Sequence, residues 1–425
     1  MGSEGGERTF TVSVAKKEVV AAVLPLQEHW LPLSNLDLLL PPVDVGVFFC
    51  YRNPLISMNF GSMVGSLKKA LAQVLVSYYA FAGEVVANSA GEPEILHYKK
   101  NGILRPTNRN RGVDFYEAFA DIELQHLNLY NPDQSIEAKL VPKKEDEMAQ
   151  SKAISDSVVP SFRRSLLNPR RPACIHPSLD DMYVPISKLQ PPKDSDSDDD
   201  HLISRIYYVK ADSLNKLQSL ASSIGCQRTK LESFSALLWQ LVAKSAQNGM
   251  AKVSKMGIVV DGRTRLGDTM DSYFGNVLSI PYGKKKIDEL IANPLSWVAN
   301  EVHDFLESAA TKEHFLGLID WVEAHRPEPA LAKIYGSGSD DGPAFVVSSG
   351  QRFPVSKVDF GWGAPFFGSY HFPWGGNAGY VMPMPSPLCN GDWIVYMHLL
   401  KTQIHLIEAE SSNLFQPLTC VYLKN

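Results

Sequence analysis

Residues 359–363 read Asp359-Phe360-Gly361-Trp362-Gly363. Two glycines alternate with aromatic rings behind one aspartate. That pattern suits close backbone approach or positive φ better than a regular strand. Around it, from Phe345 onward, short β-rich runs alternate with Gly and Pro. Moving back along the chain, helical periods cover His314–His325 and Pro294–Ala309. Thr229-Lys230-Leu231-Glu232 is a capping box that opens a helix through Leu237-Leu238-Trp239. Asp212 begins another helix, with Leu214, Leu217 and Leu220 inward and Gly225 as its stop. Ile203–Val209 reads as a strand.

Residues 187–201 form a linker. Pro191-Pro192 and the run ending Asp198-Asp199-Asp200 favour an extended, solvated segment, because like charges repel. Calcium binding is the other reading, but the spacing is not that of an EF-hand. Before the linker, Leu67, Leu71, Val74, Leu75 and Tyr78 share one face of a helix predicted over 67–82. Gly83 breaks it, and Glu84-Val85-Val86 starts a strand. Mixed helices and strands on both sides of the linker predict an α/β protein of two halves, 1–186 and 202–425.

The 425 residues exceed the usual size of one core. A hydrophobic fraction of 44% and a charged fraction of 20% are those of a soluble globular chain. A net charge of -5 offers no basic surface for nucleic acid or anionic lipid. No apolar run is long enough for a membrane span, and Met1–Arg8 lacks a signal core. Cys50, Cys174, Cys226, Cys389 and Cys420 are far apart and odd in number, so neither a zinc site nor a disulfide framework is expected. A reducing cytoplasm is the expected setting.

Several stretches in fixed order carry a resemblance. They are Leu33-Ser34-Asn35-Leu36-Asp37, Ser77–Gly83, Ser161–Pro172, Thr229–Trp239, Val260-Asp261-Gly262-Arg263-Thr264-Arg265, Tyr273-Phe274-Gly275-Asn276 and Asp359–Gly363. Together they resemble the BAHD acyltransferases, over nearly the whole chain. The resemblance implies two similar chloramphenicol-acetyltransferase-like halves, with mixed sheets and flanking helices. A solvent channel would run between them, and both substrates would meet mid-channel. It implies a monomer that uses acyl-CoA as co-substrate and a small phenolic alcohol as acceptor, with no bound cofactor and no metal. The wording of Ser161–Pro172 further implies acetyl-CoA and coniferyl alcohol. Asp359–Gly363 would be structural. Ser235, Arg263 and Arg265 are candidates on the coenzyme A side, with a cap or salt bridge as the other reading of each. Val347–Arg352 falls where relatives often carry Thr-x-Trp-x-Arg. Ser348 would then be an oxyanion donor and Arg352 an acceptor contact, and Gly350 in place of tryptophan would leave room. An ordinary loop is the alternative.

The reaction needs a base to take the alcohol's proton, and histidine suits this near neutral pH. The family's base is the histidine of a His-x-x-x-Asp that follows an apolar strand. Here Lys139-Leu140-Val141-Pro142 resembles the text before that strand, and Met148-Ala149-Gln150 the end of the helix after it. Only Lys143–Glu147 separates them, where about 40 residues are needed. The catalytic segment reads as deleted. A skipped exon, an engineered deletion or a faulty gene model would leave such a gap. His97–Asn110 reads as a basic insert, which points to splicing or the gene model. His176-Pro177-Ser178-Leu179-Asp180 matches His-x-x-x-Asp, but chance alone yields on the order of one match in such a chain. Pro172 and Pro177 flank it and no strand leads in, so His176 and Asp180 are read as a surface loop. His398 and His405 read as strand residues and His303 as facing solvent. His371 is read as buried in a loop, or as lining the channel. Three functions stay open: an acyltransferase, a dead relative that binds coenzyme A or a protein, and a non-functional isoform.

Overall fold

The computed structural model describes residues 10–24, 29–39, 45–52, 59–97, 112–140, 160–189, 200–223, 225–247, 249, 252–336, 342–372, 378–419 and 422. The gap expected at 143–147 and nearly all of the basic insert lie outside these residues.

The first half carries β1 (Val12–Ala21), β2 (His29–Pro32), β3 (Gly46–Cys50), α1 (Phe60–Ser77), β4 (Glu84–Ala87), β5 (Pro93–His97), β6 (Gly112–Ala120), α2 (Ser178–Met182) and β7 (Tyr183–Pro185). The second opens with β8 (Leu202–Val209), α3 (Ala211–Ala221), α4 (Lys230–Ser245), β9 (Val253–Ile258), β10 (Val260–Asp261), α5 (Arg263–Leu266) and β11 (Leu278–Ser279). It continues with β12 (Tyr282–Lys286), α6 (Ile287–Ala292), α7 (Leu295–Ala309), α8 (Lys312–His325), β13 (Ala330–Ala332) and β14 (Ala344–Val347). It ends with β15 (Phe367–His371), β16 (Ala378–Pro385), β17 (Trp393–Leu400), α9 (Lys401–Ser411) and β18 (Gln416–Pro417).

Seven strands of the second half form one mixed sheet in the order β12-β9-β14-β16-β17-β8-β18. β14 runs parallel to both neighbours, and the other pairs are antiparallel. Strand alternation divides its side chains between two cores. Phe345, Val381, Val395 and Met397 join Phe234, Trp239 and Val302 of the helices on one face. Val346, Met382, Ile394 and Tyr396 join Leu36, Trp321 and Phe367 on the other. Each such large apolar side chain contributes about 1.5–3 kcal/mol on burial. The edge strand β12 carries Lys284, Lys285 and Lys286, which discourage pairing with another chain.

The first half is assembled in smaller pieces. Among the described residues β1 pairs only with β6, and β2, β5 and β4 form a three-stranded sheet. β3 and β7 cross to the second half, pairing with β15 and β13. Asn35 Nδ2 donates to the Ile319 carbonyl at 3.0 Å, and Asp37 Oδ1 accepts from Asn276 N at 2.6 Å. Arg170 Nε donates to the buried Asp320 at 2.8 Å. These pairings and hydrogen bonds join residues on the two sides of 186.

Several expectations need correction. The helix predicted over 67–82 starts at Phe60, capped by the Asn59 side chain, and ends at Ser77. Leu75 is buried, but its predicted companions are only half-buried. Leu220 is 70% exposed, because the buried face of α3 runs through Leu214, Leu217 and Ala221 and leaves position 220 off it. Gly225 lies beyond that stop, with φ 79°, in the Ser223–Cys226 turn. The β-rich tail contains the helix α9, so His405 is an exposed helical residue rather than a strand residue. Of the linker, 190–199 lie outside the described residues, and its end is anchored. The Asp200 carboxylate accepts from Thr402 N and Oγ1 at 3.0 and 2.7 Å and so holds the start of α9.

Candidate functional site

A buried polar cluster lies at the seam between the halves. Glu137 sits on the short turn Ile136–Leu140 and is 5% exposed. Its Oε1 accepts from His371 Nδ1 at 2.9 Å, and its Oε2 accepts from Ser204 Oγ at 3.0 Å. Nε2 of His371 lies 2.7 Å from Ser369 Oγ. Ser204 also meets Tyr396 OH at 3.1 Å and His398 Nδ1 at 2.9 Å. Its backbone N–H donates to Asp133 at 2.8 Å, and Arg205 stands 3.6 Å from the same carboxylate. Burial opposes ionisation of Glu137, but hydrogen bonding, that of His371 foremost, outweighs it and holds the carboxyl down at about 2. Burial pushes the neighbouring Asp133 the other way, upward. His371 is therefore a strand residue held by a carboxylate, where the sequence suggested a loop. Glu137, Ser204 and Ser369 escaped notice. The available signal was a polar residue at an inward strand position, as at Ser204 in Leu202–Val209.

The residues singled out from sequence do not converge on one centre. His176 is exposed and its Nδ1 meets Ser178 Oγ at 2.7 Å, while Asp180 accepts from Trp321 Nε1 at 2.8 Å. The two serve separate local contacts: His176 is in a loop, but Asp180 lies in α2 and not in a loop. Asp359 Oδ1 accepts from Gly361 N and Gly363 N at 2.7 and 2.9 Å, with φ 103° and 99° at the two glycines. Phe360 and Trp362 pack edgewise on Tyr51, which follows β3. The pentapeptide thus ties the halves together.

Ser235 is fully buried on α4, and its hydroxyl has no hydrogen-bond partner among the described residues. Arg263 reaches Asp261 at 3.2 Å and the Gly275 carbonyl at 2.5 Å, which brings two of the sequence motifs together. Arg265 is exposed. Ser348 N donates to the Val381 carbonyl at 2.9 Å. Gly350 does not leave room: a Cβ there would overlap Met384 Sδ, which already fills the space. Arg352 is exposed. His303 does not simply face solvent, since its Nδ1 lies 2.7 Å from Glu232 of the capping box.

A surface-open cavity of about 410 Å³ brings neighbours of these candidates together. Lys230, Gln351, Ser356, Ser386, Asp392 and Trp393 are among its walls. Lys230 stands in the first turn of α4, whose start is fixed by the reciprocal Thr229–Glu232 capping box. A cation beside a helix N-terminus suits an anionic group. Among the described residues no helix is long and apolar enough to cross a membrane.

Known proteins resemble this chain in fold and sequence. Solved structures share the fold. F. graminearum TRI101 complexed with coenzyme A and T-2 mycotoxin superposes with a TM-score of 0.62 at 13% identity, covering 91% of this chain and 99% of that one. Vinorine synthase gives 0.59 at 15% identity, over 95% and 98%. The shikimate O-hydroxycinnamoyltransferase of Nicotiana tabacum is 25% identical over 91% of this chain and 96% of its own length. The benzyl alcohol O-benzoyltransferase of Petunia hybrida is 24% identical over 86% and 84%. The (Z)-3-hexen-1-ol acetyltransferase of Arabidopsis thaliana is 23% identical over 85% of each. The profile of the Transferase family matches residues 10–154 and 146–414, two segments that meet at 146–154. With nearly the whole length matched, the chain belongs to the Transferase family, the BAHD acyltransferases.

Proposed function

We propose that the chain is an acyl-CoA-dependent O-acyltransferase of plant phenylpropanoid metabolism that has lost its base. In this reading it is a cytoplasmic monomer, its donor is acetyl-CoA and its acceptor is coniferyl alcohol. The observation that supports it is the family match, which falls in two segments overlapping at 146–154, next to the stretch 143–147 where the sequence reads as short. The acyltransferase names of the plant relatives support the reaction class. The cavity beside Lys230 receives the donor's phosphate-bearing end. The acceptor oxygen attacks the thioester carbonyl, and thiolate leaves. Without a positioned base the alcohol must give up its proton unaided, which slows the step by about 10²–10⁴.

The test is turnover of acetyl-CoA with coniferyl alcohol beside a full-length relative. At least a hundredfold deficit is expected, and turnover within tenfold contradicts the reading. The two-segment match also favours a second reading, a chain that binds coenzyme A without transferring its acyl group. Calorimetric binding of coenzyme A supports it over a non-functional isoform.

A further inference from the structure

We propose that Ser369 is an acyl-accepting nucleophile, activated by His371 and Glu137, and that the chain slowly hydrolyses acyl thioesters through it. The inference rests on the reading of the chain as a user of acyl-CoA. Carboxylate, imidazole and hydroxyl stand in sequence, at 2.9 Å from Glu137 to His371 Nδ1 and 2.7 Å from His371 Nε2 to Ser369 Oγ. With Nδ1–H donated to Glu137, Nε2 is the acceptor for the serine proton. That connectivity turns a hydroxyl into a nucleophile on unrelated folds. It is fixed on both sides. Glu137 is also held by Ser204, and the Tyr396 ring packs edgewise on the imidazole at 5.4 Å.

In the first step Oγ bonds the thioester carbonyl carbon while its proton passes to Nε2. The C–S bond then breaks, and the imidazole returns the proton to the leaving thiolate. Water attacks the Ser369 ester in the second step and gives its proton to Nε2. Collapse releases a carboxylic acid and restores the hydroxyl. No other reactant is required.

Ser369 is 1% exposed, so the centre is closed at rest. β3 borders β15 edge to edge as a five-residue strand paired with nothing else among the described residues, with Phe48 beside Ser369 in register. Short isolated pairs open locally far more readily than a sheet core. Opening sets the rate, and turnover is slow.

The experiment incubates the full chain with acetyl-CoA and no alcohol, following thiol release and peptide masses. Free acetate with one acetyl group on the Ser369 peptide is expected. Ser369→Ala should lose both, and His371→Gln should slow thiol release by about 10²-fold or more. Glu137→Gln, a change at a positioning residue, should move the pH profile of release. If Ser369→Ala fails to fold by circular dichroism, Ser369→Cys serves instead and should carry a hydroxylamine-labile thioester. Acetylation that persists in Ser369→Ala overturns the proposal. So does bound acetyl-CoA that is neither cleaved nor transferred to protein, an outcome that leaves the family reading intact.

Discussion

The second half is a sheet with two covered faces; the first is a set of ribbons. Among the described residues, twelve of the fourteen exposed large apolar side chains lie before residue 187, including Val14, Val23, Phe60 and Phe119. The second half has only Leu220 and Leu388. The core proper to the first half is small, with Leu75, Ala82 and Val113 at its centre. β1 and β6 are ten and nine residues long, yet among the described residues each has one partner, whereas β17, of eight residues, has two. Long strands with open edges and exposed apolar side chains are what a sheet that had lost members would leave. The proposed loss of a strand and helix would fall in this half.

The largest expected effect is in amide exchange. Amides of β16 and β17 should exchange about 10³-fold more slowly than those of β1 and β6, since core strands open only with the whole fold. Equal protection by mass spectrometry would erase the comparison. Next come substitutions that contrast the halves. His371→Ala strands a buried carboxylate and should cost about 3–5 kcal/mol by denaturant unfolding. Phe119→Ala, in the ribbon, should change stability by about 0.5 kcal/mol or less. A similar loss from both would show that the ribbon is as well packed as the seam.

Acid sharpens the same contrast. Glu137 is held at about 2, below its ordinary 4.5. Its contribution is complete above about pH 4.5 and is lost as the pH falls toward 2. Asp133, raised by burial, acts in the opposite sense. Glu137→Gln should therefore flatten the fall in stability between pH 4.5 and 2. An unchanged slope would remove Glu137 from the seam's energetics. The smallest effect is the cap: Thr229→Ala should cost about 1 kcal/mol.

How far the sequence could be read follows the same division. The capping box at Thr229, the helices over 295–309 and 312–325 and the strand at 202–209 were legible because local pattern and tertiary packing agree there. The helix α9 was missed because its apolar face is narrow: Gln403, Ile404 and Ile407 are its buried positions. The cluster around Glu137 was illegible because its members are brought together from 137, 204, 369, 371 and 398 only by the fold. Arg263 is held within the second half, by Asp261 and the Gly275 carbonyl. In the proposed reading, the cost of a lost segment would reside in unmade strand pairing and exposed apolar surface.

That claim is tested most directly by thermal unfolding of this chain beside a version in which a relative's strand, histidine loop and helix are restored between Pro142 and Met148, in one buffer. The account predicts that the restored protein melts well above this chain. Equal midpoints, with both proteins monodisperse, would contradict it.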